Sequence, residues 1–148
     1  MPKVNNFSVF TSNLDLGNVS ENIKVFNSNQ SSRRTSSTII DLYDKSHENE
    51  NVKLVGKTLW NNTCTIHFSP KSRYSQSTNT FFLKNGTIET SLNTLNWEKG
   101  QRLIATIHSG TGEYLGVTGF VEIVVIDRKL DENVDAWDWT CEYKFIFL

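Results

Sequence analysis

The residues that could carry chemistry are few, and their spacing decides what they can do. Gly110, Thr111, Gly112 and Gly116 follow the pattern G-x-G-x-x-x-G. An apolar run, Val117 to Asp127, comes next rather than a helix, and no Lys-Ser or Lys-Thr pair follows. Neither a dinucleotide fingerprint nor a phosphate loop is met, so the glycines read as a structural bend. Asp131, Asn133, Asp135 and Glu142 have the oxygen-ligand spacing of a calcium loop. Ala136 stands where such a loop needs Gly, and a strand rather than a helix follows, so the segment reads as a polar loop. His47, His67 and His108 are scattered, with no Cys or His at ligand spacing. Cys64 and Cys141 fall in alternating runs and read as buried free thiols, without a visible activating neighbour. No metal and no cofactor are expected, and no catalytic residue is assigned.

Charge narrows the partners. The chain has 148 residues, 15 Lys and Arg against 16 Asp and Glu, and a formal net charge of −1. No domain-wide positive field exists, so no nucleic-acid partner is expected. Arg33-Arg34 and Lys71-Ser72-Arg73 read as solvated loops. No apolar run reaches roughly 18 residues, so no membrane association is expected. Met1 to Phe10 lacks the apolar core of a secretion signal, so the expected location is cytoplasmic.

The elements that must position these residues are strands. No stretch keeps a helical apolar period for three turns. Short β-rich runs fall near 38–44, 52–60, 63–68, 80–84, 87–92, 102–108, 117–127 and 139–147, with a weaker one at 22–27. Asn27 to Ser37 has no large apolar residue and reads as a loop, as does Lys129 to Asp138. Asn85-Gly86 reads as the centre of a type I′ hairpin turn. Trp139, Cys141, Tyr143, Phe145 and Phe147 alternate with a more polar set, so Tyr143 and Phe145 should point inward and Glu142 and Lys144 outward. The expected fold is all-β: an eight-stranded antiparallel barrel with little helix. Residues 1–36 form a polar front with one or two weak strands, and 37–148 form the barrel of a single domain.

Leu103 to Val121 resembles the Gly-rich strand and bend of the allene oxide cyclase and dirigent superfamily. Leu42-Tyr43-Asp44, Val55-Gly56, Cys64, Phe81-Phe82-Leu83, Asn85-Gly86-Thr87-Ile88 and Tyr143-Lys144-Phe145 fall in the family's order. The resemblance implies a barrel with an internal cavity, commonly a homotrimer, and marks Cys64 as a cavity residue. Asn27 stands where the plant cyclase has its Glu, and no proline follows. An Asn cannot serve as a carboxylate base, which argues against the plant reaction.

The barrel is therefore expected to bind an apolar small molecule, as a cyclase or isomerase steering a reactive conformer or as a non-catalytic binding or assembly unit. Asp41, Tyr43, Trp60, Cys64, Thr106, His108, Trp139 and Tyr143 are expected to line the cavity. Trp60, Tyr43, Phe82, Trp139, Tyr143 and Phe145 supply core rings. In 121–126, apolar residues occupy both faces, which predicts a homo-oligomer, with a trimer favoured and the contact near 114–126.

Overall fold

The computed structural model describes residues 4–11, 20–27, 32–45, 51–69, 72–95, 99–131 and 136–148. The strands are β1 (Phe7–Phe10), β2 (Ser20–Asn27), β3 (Ser32–Tyr43), β4 (Leu54–Ser69), β5 (Ser72–Leu83), β6 (Gly86–Leu95), β7 (Arg102–Gly110), β8 (Gly119–Asp131) and β9 (Ala136–Phe147). Each pairs antiparallel with its neighbour in the order β1-β9-β8-β7-β6-β5-β4-β3-β2. β1 also meets β3, with Phe10 opposite Tyr43, which closes the ring. β1 and β2 take successive stretches of the same edge of β3, since Ser20 lies opposite Ile39. The result is a closed eight-stranded antiparallel barrel. A 3₁₀ turn, Gly112–Tyr114, lies between β7 and β8. Among the described residues no helix is long and apolar enough to cross a membrane.

Several strands run through segments whose composition suggested turns. β3 begins at Ser32, inside the stretch read as a loop. β4 joins the expected strands at 52–60 and 63–68, and its Asn-rich middle is a register shift between Asn62 and Cys64 rather than a turn. β5 starts at Ser72, well before the apolar Thr80–Leu83. β8 and β9 likewise extend to Asp131 and back to Ala136, into the expected polar connection. On β5 and β6 the cause is an interior that accepts hydroxyls and amides. Ser75, Ser77 and Asn79 are buried at alternate positions of β5, and Thr90 and Thr94 on β6. Ladder hydrogen bonds hold these strands without an apolar stripe to announce them.

Cross-strand partners share a face. The row Ile40–Thr58–Phe81–Ile88 therefore points inward together, and so does Thr38–Trp60–Asn79–Thr90. On the other side of the ring, Val121, Ile123, Val125, Cys141, Tyr143 and Phe145 are buried. Phe145 is the hub of the apolar half: its ring stacks on Phe7 at 4.7 Å and meets Phe81 edge-on at 4.9 Å. Lys144 is exposed and Glu142 half-buried on the outer side.

The β5–β6 hairpin forms, one residue out of register with expectation. Lys84 and Asn85 are its loop, and Leu83 pairs with Gly86. Gly86 opens β6 at φ 149°, where a Cβ would lie 2.0 Å from the Thr111 carbonyl oxygen. Gly112, at φ 62°, approaches the Asn85 carbonyl just as closely, at 2.3 Å from an added Cβ. The glycine-rich bend is thus docked on the hairpin. Glu113 N–H donates to the Asn85 carbonyl at 2.9 Å, and Thr87 N–H donates to Thr111 Oγ1 at 3.0 Å.

Phe145 has 0% exposure. Phe145→Ala should cost about 3–5 kcal/mol. Lys144→Ala should stay within about 0.5 kcal/mol. Urea unfolding of the two variants against the parent chain checks both values.

Candidate functional site

A cleft of about 210 Å³ opens beside β1. Its origin is the short seam. β1 meets β3 only at Phe10, so among the described residues the edge from Phe7 to Val9 has no strand on that side. The chain leaves β3 at Asp44, whose N–H donates to the Lys53 carbonyl at 3.0 Å and whose Oδ1 accepts from Lys53 N–H at 2.8 Å. Phe7, Val9, Val55, Leu83 and Tyr114 wall the cleft. Ser8, Asp44, Lys84 and Asn85 supply its polar groups. Tyr114 is held there by the docked bend and stacks on Phe147 at 6.2 Å. Burial, with Glu113 adding to it, raises the Tyr114 hydroxyl above its ordinary value, so it stays a neutral donor.

None of the eight residues expected from sequence lines this cleft, and the structure spreads them widely. Trp60 is half-buried on the inner face, in the row with Asn79. Tyr143 is buried inside against Phe81. Tyr43 sits half-buried at the seam, opposite Phe10. Asp41 turns outward, where Lys57 Nζ donates to its Oδ1 at 2.5 Å, so it is no cavity group. Thr106 and His108 are exposed on the outer face, because Ala105 and Ile107 take the inward positions of β7. Phe82 also faces out, since Lys57 and Thr87 flank it. Cys64 and Trp139 lie opposite Gln76 and Arg128, and their side chains fall outside the described residues.

Among the described residues the groups with reactive potential stand apart from one another. His108 Nε2 hydrogen-bonds Ser91 Oγ on the open sheet face. Among the described residues no carboxylate partners its second ring nitrogen, so no triad forms there. Among the described residues no three His, Cys, Asp or Glu side chains could hold a metal. Asn133 and Asp135 of the calcium-like spacing lie outside the described residues. Cys141 is a buried free thiol. Burial pushes it up to about 12, against the opposing pull of a Thr11 hydrogen bond. Burial holds the Tyr143 hydroxyl well above its ordinary value, with Cys141 reinforcing the shift.

A solved structure of similar fold can be named among those that match. It is titled pyocyanin demethylase, and it matches 97% of this chain and 99% of its own length with a TM-score of 0.51. Sequence identity is 14%, so the likeness is one of fold. No family model matches the chain, and no curated protein does. The resemblance to allene oxide cyclases is therefore carried as far as the barrel.

The cleft escaped sequence reasoning because its walls come from residues 7–9, 55, 83–85 and 114, which no local pattern links. The partial signals were the Asn85-Gly86 hairpin and Tyr114 after the glycine bend.

The Cys141 shift predicts a pH dependence. The unfolded thiol titrates near 9.0 and the folded one near 12, so the unfolded chain loses its proton first as pH rises. Stability is full below pH 9 and falls by about 1 kcal/mol between pH 9 and 10. Urea unfolding across that interval should show at least this loss, and Cys141→Ala should lessen it by about 1 kcal/mol, leaving the smaller part that comes from Tyr114 and Tyr143.

Proposed function

We propose that the barrel binds a small, largely apolar molecule, about one ring in size, in the cleft between β1 and the β5–β6 hairpin. The carrying observation is the cleft itself: about 210 Å³, walled by Phe7, Val9, Val55, Leu83 and Tyr114. An apolar cavity of roughly 150 Å³ is enough to take up benzene, while drug-sized ligands need about 300 Å³ or more. The Tyr114 hydroxyl and the Asn85 side chain would orient one polar substituent. A cyclase or isomerase that works by holding one conformer is the catalytic form of this reading. The likeness to a protein titled a demethylase is compatible with chemistry in such a barrel. Binding without chemistry is favoured, because among the described residues Asp44 is the one carboxylate lining the cleft and it is engaged by the Lys53 N–H.

Toluene tests the site. A concentration tenfold above its Kd should stabilise the fold by about 1.4 kcal/mol. Leu83→Trp and Val55→Trp, which fill the cleft, should each abolish that gain. A gain that survives both substitutions places the ligand elsewhere.

The proposal extends to self-association. Ile104 is 57% exposed, and Phe120, Val124, Ile126 and Ile146 are half-buried on the same outer side of β7, β8 and β9. Covering this face with a second and third copy removes an apolar patch from water. Light scattering should give a multiple of 16.9 kDa, with three copies favoured, and Ile104→Lys should lower it. A mass of one chain across micromolar concentrations rejects association.

A further inference from the structure

The barrel interior away from the cleft holds polar groups that the chain does not use. Thr38 and Thr90, 5% and 3% exposed, sit on one inward row. Among the described residues neither hydroxyl has a hydrogen-bond partner. Tyr143 is 6% exposed on the opposite wall. Its ring meets Phe81 edge-on at 5.2 Å, and among the described residues its hydroxyl has no partner either. Asn79 donates from Nδ2 to Thr58 Oγ1 at 3.0 Å, and among the described residues its Oδ1 accepts nothing.

Buried polar groups in native proteins are satisfied by protein, by ordered water or by a ligand. Several unsatisfied groups facing one interior call for an occupant that can hydrogen-bond. Trp60 points inward between buried Thr38 and buried Asn79, yet it is only half-buried. Asn62, held by a 2.6 Å hydrogen bond from Ser77 Oγ, is half-buried on the same side. Solvent thus reaches the inner face at Trp60 and Asn62, which is where an occupant would enter.

The lining selects the class of occupant. Among the buried described residues Asp41 alone is charged, and it faces outward to Lys57. Among the described residues an ionic ligand would find no opposite charge in return for its lost water. An alkane would leave the hydroxyls unpaired. We propose that this half of the barrel is a second site, for a neutral ring molecule bearing hydroxyl or carbonyl groups. Trp60 offers its ring face, and Thr38, Thr90 and Tyr143 offer hydroxyls. The site is separate from the cleft and takes a more polar ligand.

The test is calorimetric titration of the full chain with resorcinol, benzamide and cyclohexane-1,2-diol. The same titrations are run on Thr90→Val and Tyr143→Phe, which delete a hydroxyl and keep shape, and on Leu83→Trp, which fills the cleft. At least one probe should bind saturably. Its affinity should fall about 5–10-fold in each hydroxyl deletion and hold in Leu83→Trp. Both hydroxyl deletions should melt at or above the parent temperature. Absence of binding by all three probes overturns the proposal, as does binding that only Leu83→Trp abolishes. A drop of several degrees in Tyr143→Phe without probe also overturns it, since the hydroxyl would already be bonded within the chain.

Discussion

A closed barrel depends on its last seam, and here that seam is β1. This strand of four residues joins β9 to β3 and removes both free edges of the ring where it lies. Its hold on β9 exceeds the ladder. Asn6 Oδ1 accepts the Phe147 N–H at 3.0 Å, and Thr11 Oγ1 accepts the Cys141 N–H at 3.0 Å. Thr11 N–H returns a bond to the Cys141 carbonyl at 2.9 Å. The hold on β3 is a single pair, Phe10 with Tyr43. This asymmetry makes the cleft: a stave fixed on one side and nearly free on the other leaves a slot in the wall.

The interior is divided between two chemistries. Phe7, Phe81, Tyr143 and Phe145 pack ring against ring beside the slot. On β3 to β6, Thr38, Thr58, Ser77, Asn79 and Thr90 share the inward face with Leu42, Ile88 and Leu92. A fully apolar interior would gain more from burial. The hydroxyls give up some of that gain and leave hydrogen-bonding groups on the inner wall.

The parts legible in the sequence are those where hydropathy alternates. Tyr143 and Phe145 point inward and Lys144 outward, as period two requires. Close approach explains two glycines of the bend, Gly112 against the hairpin at Asn85 and Gly110 against Tyr114. Thr106 and His108 were assigned to the wrong face because Leu103, Ile104, Ala105 and Ile107 put apolar groups on both parities of β7. Ser32 to Ser37 holds no apolar residue to alternate, and on β5 the inward Ser75, Ser77 and Asn79 are polar, so neither stretch shows the period of a strand. Nor could any local pattern foresee a cleft built across a seam between distant segments.

That seam also fixes when the molecule can be completed. Thr11 and Cys141 are 130 positions apart in the chain, and Asn6 and Phe147 are 141 apart. During synthesis β3 through β8 can pair with their sequence neighbours as each emerges. β1 must wait for β9, the last strand described. Until then β3 and β8 present open edges, and the aromatic half has no wall. Such long-range closure is slow, and unclosed edges invite pairing between nascent chains. The interval between the emergence of β8 and the closure of the ring by β1 and β9 is therefore the period in which unpaired edges leave this chain most dependent on a chaperone.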